Sequence, residues 1–300
     1  MTLTMTPANT PQMNVAVQAQ MTVRQQLSGM AQHLLSLPAI NNPQLPSLAV
    51  HIQAVRGHAK DYLGPVSTQM DAVNTQLAAY GNALQQTCNQ VLALLRGSGG
   101  TSPPQVQTML VALQAAGTPV GQALAQMALS IASFDNNITA DARNLLGDQQ
   151  LAQQLMAADQ ARMQALMQQL NSLRAELEDK QREEVIVGIF TLGIGAAIME
   201  LTGYVQSTES DINAAQQQGG MLSQQMAQLG ATTSALTAFT NGTAVLAGLT
   251  QTLQHDWQTA NAMLNELTQK SVPSAFLQAY INALMADWNE LMGELPQLQQ

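Results

Sequence analysis

Residues Val185 to Val205, VIVGIFTLGIGAAIMELTGYV, form the one long apolar run in this chain, and Glu200 is its sole formal charge. Immediately upstream, eight of the eleven residues from Arg174 to Glu184 are charged, in a chain where charged residues make up only 10%. An exposed patch of that kind aggregates, so any fold must bury the run or give it another apolar partner. As a single helix the run would reach about 31 Å, the thickness of a hydrocarbon core. Two features oppose a permanent span. A central Glu200 would cost about 2.5–3.5 kcal/mol, and Gly188, Gly193, Gly195 and Gly203 weaken the helix. The run also divides internally. Val185 to Thr191 is β-branched and aromatic, which suits a strand; Leu192 to Gly195 suits a turn, and Ala196 to Leu201 suits a helix. A β-hairpin, a strand–turn–helix and a bent helix therefore all remain open.

The flanks read as long helices. Met13 to Leu37 has helical spacing, with Val17, Met21, Leu27, Met30 and Leu34 near one face, and Pro38 stops it. Pro38 to Pro46 is a connector. Ser47 is a candidate cap for a second helix running to Leu95, kinked or broken at Gly64-Pro65. Val73, Leu77, Tyr80, Leu84, Cys88, Val91 and Leu95 repeat in steps of four and three, the seam of a coiled coil or long bundle. Arg96 to Pro104, RGSGGTSPP, is the clearest turn. The spacing then predicts a short helix from Gln105 to Ala116, ended by Gly117, with Thr118-Pro119 opening the next. Asp135-Asn136-Asn137 is a soft spot in that next helix. A seam of Leu151, Leu155, Met163, Leu166, Leu170, Leu173 and Leu177 leads to the charged collar. Beyond the apolar run, Leu222, Met226, Leu229, Leu236, Leu246, Leu253 and Leu267 continue a seam until Pro273. A last helix, Ser274 to about Leu295, carries Phe276, Tyr280, Leu284 and Trp288.

These patterns predict an all-α fold: an elongated up-and-down bundle of long helices with a small head. Residues 1–12 are expected to be disordered. Residues 13–173 and 206–300 form the helical tail, and residues 174–205 form the head with its hydrophobic tongue. Gly64, Pro65, Gly97, Gly99 and Gly100 are the candidate hinges. The soluble form is expected to conceal the tongue.

Composition excludes several functions. The net charge is −9 with only ten basic residues, so no basic stripe exists to displace counterions from nucleic acid or to dock on anionic lipid. Membrane contact must be driven by apolar surface. One cysteine, Cys88, allows no internal disulfide and no multi-cysteine zinc site; on its seam position it reads as a small core residue. His51 and His58 lie two turns apart, about 10 Å, too far to chelate one ion, and read as solvated or capped polar residues. Gly193-Ile194-Gly195 has Ile198 where a dinucleotide fingerprint needs its third glycine, and no βαβ pattern surrounds it. Gly97-Ser98-Gly99-Gly100 lacks the frame of a nucleophile elbow. No enzyme, cofactor or metal is expected. The N-terminus carries no recognisable secretory signal, so an exported protein would leave its cell by another route.

Taken together, the Gln- and Ala-rich heptad helices, the Pro-kinked early helix and the VIVGIFTLGIGAAIME segment between two long helices resemble one family. It is the α-helical pore-forming toxins of the cytolysin A type, with the components of haemolysin BL and the non-haemolytic enterotoxin. The resemblance covers most of the chain and rests on architecture, with no short invariant motif. It implies a five-helix-like tail bundle and a head whose tongue is a β-hairpin or a helical hairpin. It also implies a secreted, soluble protein that rearranges, oligomerises and perforates a target-cell membrane, often with homologous toxin components. The membrane-inserting residues would be Val185, Ile186, Val187, Ile189, Phe190, Leu192, Ile194, Ala196, Ala197, Ile198, Met199, Leu201 and Tyr204. The alternatives are a coiled-coil secretion-system translocator and a structural helical scaffold.

Overall fold

A computed structural model describes residues 13–97, 103–187, 192–269 and 273–294. The elements in chain order are α1 (Met13–Ser36), α2 (Pro46–Asp61), a π-helical turn (Tyr62–Val66), α3 (Ser67–Gly97), α4 (Pro104–Val187), α5 (Leu192–Gln269) and α6 (Ser274–Glu294). Among the described residues there is no strand, and the all-α expectation holds. The expected disorder of residues 1–12 lies outside the described residues.

Prolines place most of the ends. α1 stops two residues short of Pro38, and α6 begins directly after Pro273. Pro46 and Pro104 each hold the first position of a helix, where a missing N–H costs nothing and the fixed φ is already helical. Ser47 is therefore not the cap expected of it; its hydroxyl donates instead to Asp148 Oδ1 at 2.8 Å. At Gly64-Pro65 the helix continues through a π turn, in which the Ser67 N–H reaches Tyr62 O five residues back. The wider turn accommodates a proline that can neither donate nor tolerate the carbonyl of the preceding turn.

Two expected interruptions in α4 are absent. Gly117, Thr118, Pro119 and the Asp135-Asn136-Asn137 segment all lie within one 84-residue helix. The glycines there answer packing and not chain termination. A Cβ at Gly117 would lie 3.2 Å from the Trp257 ring, and one at Gly121 would lie 2.7 Å from Trp257 Nε1. An interior proline costs roughly 3 kcal/mol. Val120, Leu124 and Met127 are buried just beyond it, each contributing about 1.5–3 kcal/mol, so tertiary burial outweighs the local signal. Asp135 is held by the Thr243 hydroxyl at 2.6 Å.

The chain divides into two compact units. Unit 1 comprises residues 1–37, 53–142 and 235–300. Its α4 and α5 segments are antiparallel: as the α4 partner rises through Gln107, Gln114 and Asp135, the bonded α5 partner falls through Thr268, Asn265 and Thr243. The whole Val73–Leu95 seam is buried, as are Val17, Leu27 and Leu34 of α1. α6 packs on α1 and α3, burying Leu277, Ile281 and Trp288. Six of the chain's ten aromatic residues form two clusters here: Tyr62, Phe134 and Phe239, and Tyr80, Trp257 and Trp288, with centroids 4.9–6.1 Å apart. Edge and tilted ring contacts fix orientation in a way that a core of Leu, Ala and Met alone does not.

Unit 2 comprises residues 38–52 and 143–234. It consists of the later part of α4, the earlier part of α5, and the 38–52 segment lying against them. Asn42 Nδ2 donates to Gln225 Oε1 at 2.7 Å, and Gln225 Nε2 donates to Asn41 O at 3.2 Å. Ile40, Leu45, Leu48 and Ile52 are buried, as are Leu145, Leu222 and Leu229. Further along α4 the heptad seam persists in sequence but not in burial. Leu170 is buried, while Leu155, Met163, Leu166, Leu173 and Leu177 are half-buried and Leu151 is 42% exposed.

Candidate functional site

α4 ends at Val187 and α5 begins at Leu192. Within unit 2 the two helices are antiparallel near these ends, tied by Arg174 and Glu209, whose Nη2 and Oε1 are 2.6 Å apart. Thr208 and Ile212 are buried on the same stretch of α5, and Thr208 closes its hydroxyl onto Tyr204 O at 2.8 Å. The apolar run is thus divided between the ends of two paired helices. Val185, Ile186 and Val187, which suit a strand by propensity, are the last residues of α4. Leu192, Ile194, Ala196, Ala197, Ile198, Met199, Leu201 and Tyr204 belong to the first turns of α5, and the Leu192–Gly195 turn is helical instead. Ile189 and Phe190 lie outside the described residues. Over Val185 to Val187 and Leu192 to Val205 helix prevails over β propensity; Gly188 to Thr191 lie outside the described residues. Tyr204 is 55% exposed, and its Oη lies 3.5 Å from Glu200 Oε1. Among the described residues, no helix is long and apolar enough to cross a membrane.

The hinge candidates fall in two places. Gly64 and Pro65 occupy the π turn. Gly97 is the last residue of α3, while Gly99 and Gly100 lie outside the described residues.

One polar arrangement escaped the sequence reading. His51 Nδ1 lies 2.6 Å from Asp148 Oδ2 in unit 2, and His58 Nδ1 lies 2.6 Å from Asp141 Oδ2 in unit 1. The aspartate side chains are 5% and 6% exposed, so these carboxylates enter the interior paired, as buried charge requires. The signal was present: two histidines seven apart and two aspartates seven apart, the signature of facing antiparallel heptads. The two histidines, expected as solvated or capped polar residues, are instead paired with buried carboxylates. Among the described residues no three His, Cys, Asp or Glu side chains converge to hold a metal ion. Cys88 is buried, and that burial pushes its thiol up to about 12, which makes it a core residue and a poor nucleophile.

Two paired helices of this length, with an apolar run where they meet, define the fold of the α-helical pore-forming toxins. The AhlB pore of the tripartite toxin of Aeromonas hydrophila superposes with a TM-score of 0.66 at 13% identity, covering 98% of each chain. The HblL1 toxin component of Bacillus cereus gives 0.64 at 10% identity, covering 95% of each. Soluble SmhB of the tripartite toxin of Serratia marcescens gives 0.61 at 13% identity, covering 96% of this chain and 90% of that one. The profile of the Bacillus haemolytic enterotoxin (HBL) family matches residues 15–180. The chain belongs to that family, whose members are toxin components and not enzymes. No curated protein matches it by sequence.

Proposed function

We propose that the chain is a component of a multi-part pore-forming toxin, exported from its cell, whose α4–α5 tip enters a target-cell membrane. The observation that carries this reading is the position of the apolar run. It lies at the ends of two antiparallel helices, directly beyond a charged collar. The tip inserts as a helical hairpin, with Val185 to Val187 from one helix and Leu192 to Tyr204 from the other. Neither half spans a bilayer alone, so the hairpin assembles with further copies of itself and with homologous components. Gly64-Pro65 and the 97–103 connection are the points at which the tail helices rearrange.

Ile194→Asp tests the reading. A second charge in the run adds about 2.5–3.5 kcal/mol to insertion at the bilayer centre, about a hundredfold in an insertion equilibrium. The variant is expected to elute and melt like the parent while losing dye release from liposomes, with partner components supplied to both. Full release by a folded Ile194→Asp protein would overturn the membrane role of the run.

A further inference from the structure

The buried face of α1 is apolar except at two consecutive turns. Met13, Val17, Leu27, Ala31 and Leu34 are buried, and so is Gln20; Arg24, between Gln20 and Leu27, is largely buried as well. Gln20 Nε2 donates to Thr250 Oγ1 of α5 at 3.1 Å. Arg24 Nη2 donates to Asp71 Oδ1 of α3 at 2.6 Å and to Ser67 Oγ at 3.3 Å. α1 and α3 run antiparallel, since the bonded partner falls from Asp71 to Arg56 as the chain rises from Arg24 to Leu37. One turn back along α1 and one turn on along α3 therefore reach the same level, which holds Gln20 and Asn74. Asn74 is buried, yet neither of its amide atoms has a hydrogen-bond partner among the described residues. The same is true of Gln20 Oε1 and Arg24 Nη1. Residues of α1, α3 and α5 thus form a polar layer across an otherwise apolar part of unit 1.

Such a layer lowers stability. A buried amide with nothing to bond has given up its hydration without return, and an apolar residue of the same shape in its place is neutral or favourable. What the layer supplies is a register. Heptad seams repeat every seven residues, so α1 could slide by one heptad and still present apolar residues to the core. Slid one way, Leu27 takes the level of Gln20, and Arg24 takes that of Val17. Slid the other way, Arg24 takes the level of Ala31. Val17 and Ala31 have 0% exposure, so either slip carries the guanidinium away from Asp71 to a dry level, where an unpaired charge is strongly destabilising. We infer that the layer of Gln20, Arg24, Asn74 and Thr250 is a register lock, which holds α1 at one position against α3 and α5 while lowering the stability of unit 1.

The experiment compares the full-length chain with Asn74→Leu and with the triple variant Gln20→Leu/Arg24→Met/Asn74→Leu. Urea unfolding followed by tryptophan fluorescence reads the stability of unit 1. The register is read by double electron–electron resonance between spin labels at Gln32→Cys of α1 and Gln90→Cys of α3, both exposed positions, with Cys88→Ala in every protein. The two sites lie well apart along the antiparallel pair, so a slip of seven residues changes their distance by about 10 Å. The parent should show a single distance. Asn74→Leu should unfold at higher urea and keep that distance, because Arg24 still holds Asp71. The triple variant should also unfold at higher urea and show a second distance, about 10 Å away. A lower midpoint in Asn74→Leu, or a triple variant that does not fold, would make the layer a source of stability and overturn the inference. Two distances in the parent, or the parent's distance alone in a folded triple variant, would place the register elsewhere and overturn it too.

Discussion

The Val73–Leu95 seam and the Leu151–Leu177 seam have the same heptad spacing and opposite fates. Every member of the first is at most 8% exposed. In the second only Leu170 is buried. Apolarity does not explain this, since the exposed seam is the one richer in leucine. The number of facing helices does. In unit 1 the seam of α3 meets α6 and lies in a core that also takes in α1, α4 and α5, so its residues are covered on several sides. In the corresponding stretch of unit 2, among the described residues, α4 is tied to α5 by Arg174 and Glu209, and a seam covered from one direction stays half wet. Heptad spacing reports that a helix has a partner; it does not report how many.

That contrast can be broken experimentally, and the largest effect belongs to the aromatic cluster. Trp257→Ala removes a ring in contact with Tyr80 and Trp288 and should destabilise unit 1 by about 3–5 kcal/mol, seen in urea unfolding followed by circular dichroism. An effect under about 1 kcal/mol would mean that the cluster is not the core of that unit.

A matched pair sharpens the comparison directly. Leu77→Ala, fully buried, should cost about 2–5 kcal/mol, and Leu166→Ala, half-buried, about 1 kcal/mol. Both tryptophans lie in unit 1, so the first change should shift the fluorescence transition while the second shifts only the helical signal. Equal costs would dissolve the distinction between the seams.

Alkali should discriminate between the units as well. Burial raises the Tyr62 hydroxyl from 10.0 to about 12, against the pull of Arg24, and the Cys88 thiol from 9.0 to about 12; burial raises Tyr80 too. All three belong to unit 1. A folded state that holds its protons more tightly than the unfolded one keeps its full stability below the unfolded pKa and loses it as pH rises through the folded value. Unit 1 should therefore hold up to about pH 9 and weaken progressively toward about pH 12, as read by tryptophan fluorescence. A transition complete below that window would contradict it.

The smallest effect is expected at the collar. Arg174→Gln breaks an ion pair whose side chains are 55% and 43% exposed, and such pairs contribute about 0–1 kcal/mol. Melting and membrane activity should both stay near the parent.

Much of this was legible in the chain. Pro38 and Pro273 mark helix ends, Gly64-Pro65 marks a backbone irregularity, and the apolar run marks the α4–α5 junction, because each signal is local. The misreadings occurred where a local signal served a distant partner. Gly117 reads as a stop until Trp257 is seen against it. Ser47 reads as a cap until Asp148, a hundred and one residues away, claims its hydroxyl. Val185 to Val187 suit a strand because β-branched propensity is intrinsic, yet they end a helix, because helix pairing is supplied by the neighbours.

The pairing of α4 with α5 also sets an order of assembly. Its bonds join residues 35 apart at Arg174–Glu209, 108 apart at Asp135–Thr243 and 161 apart at Gln107–Thr268. Closing the longest of these loops costs about 1.4 kcal/mol more chain entropy than closing the shortest. A hairpin of this kind zips from its turn outward, with the tip as its fast, low-contact-order end. The tie of the pairing nearest that end, Arg174 to Glu209, is between side chains 55% and 43% exposed, so it is cheap to undo and remake. A tip that detaches and re-forms quickly, on a base that does so slowly, lets the chain change surroundings at one end without passing through the unfolded state.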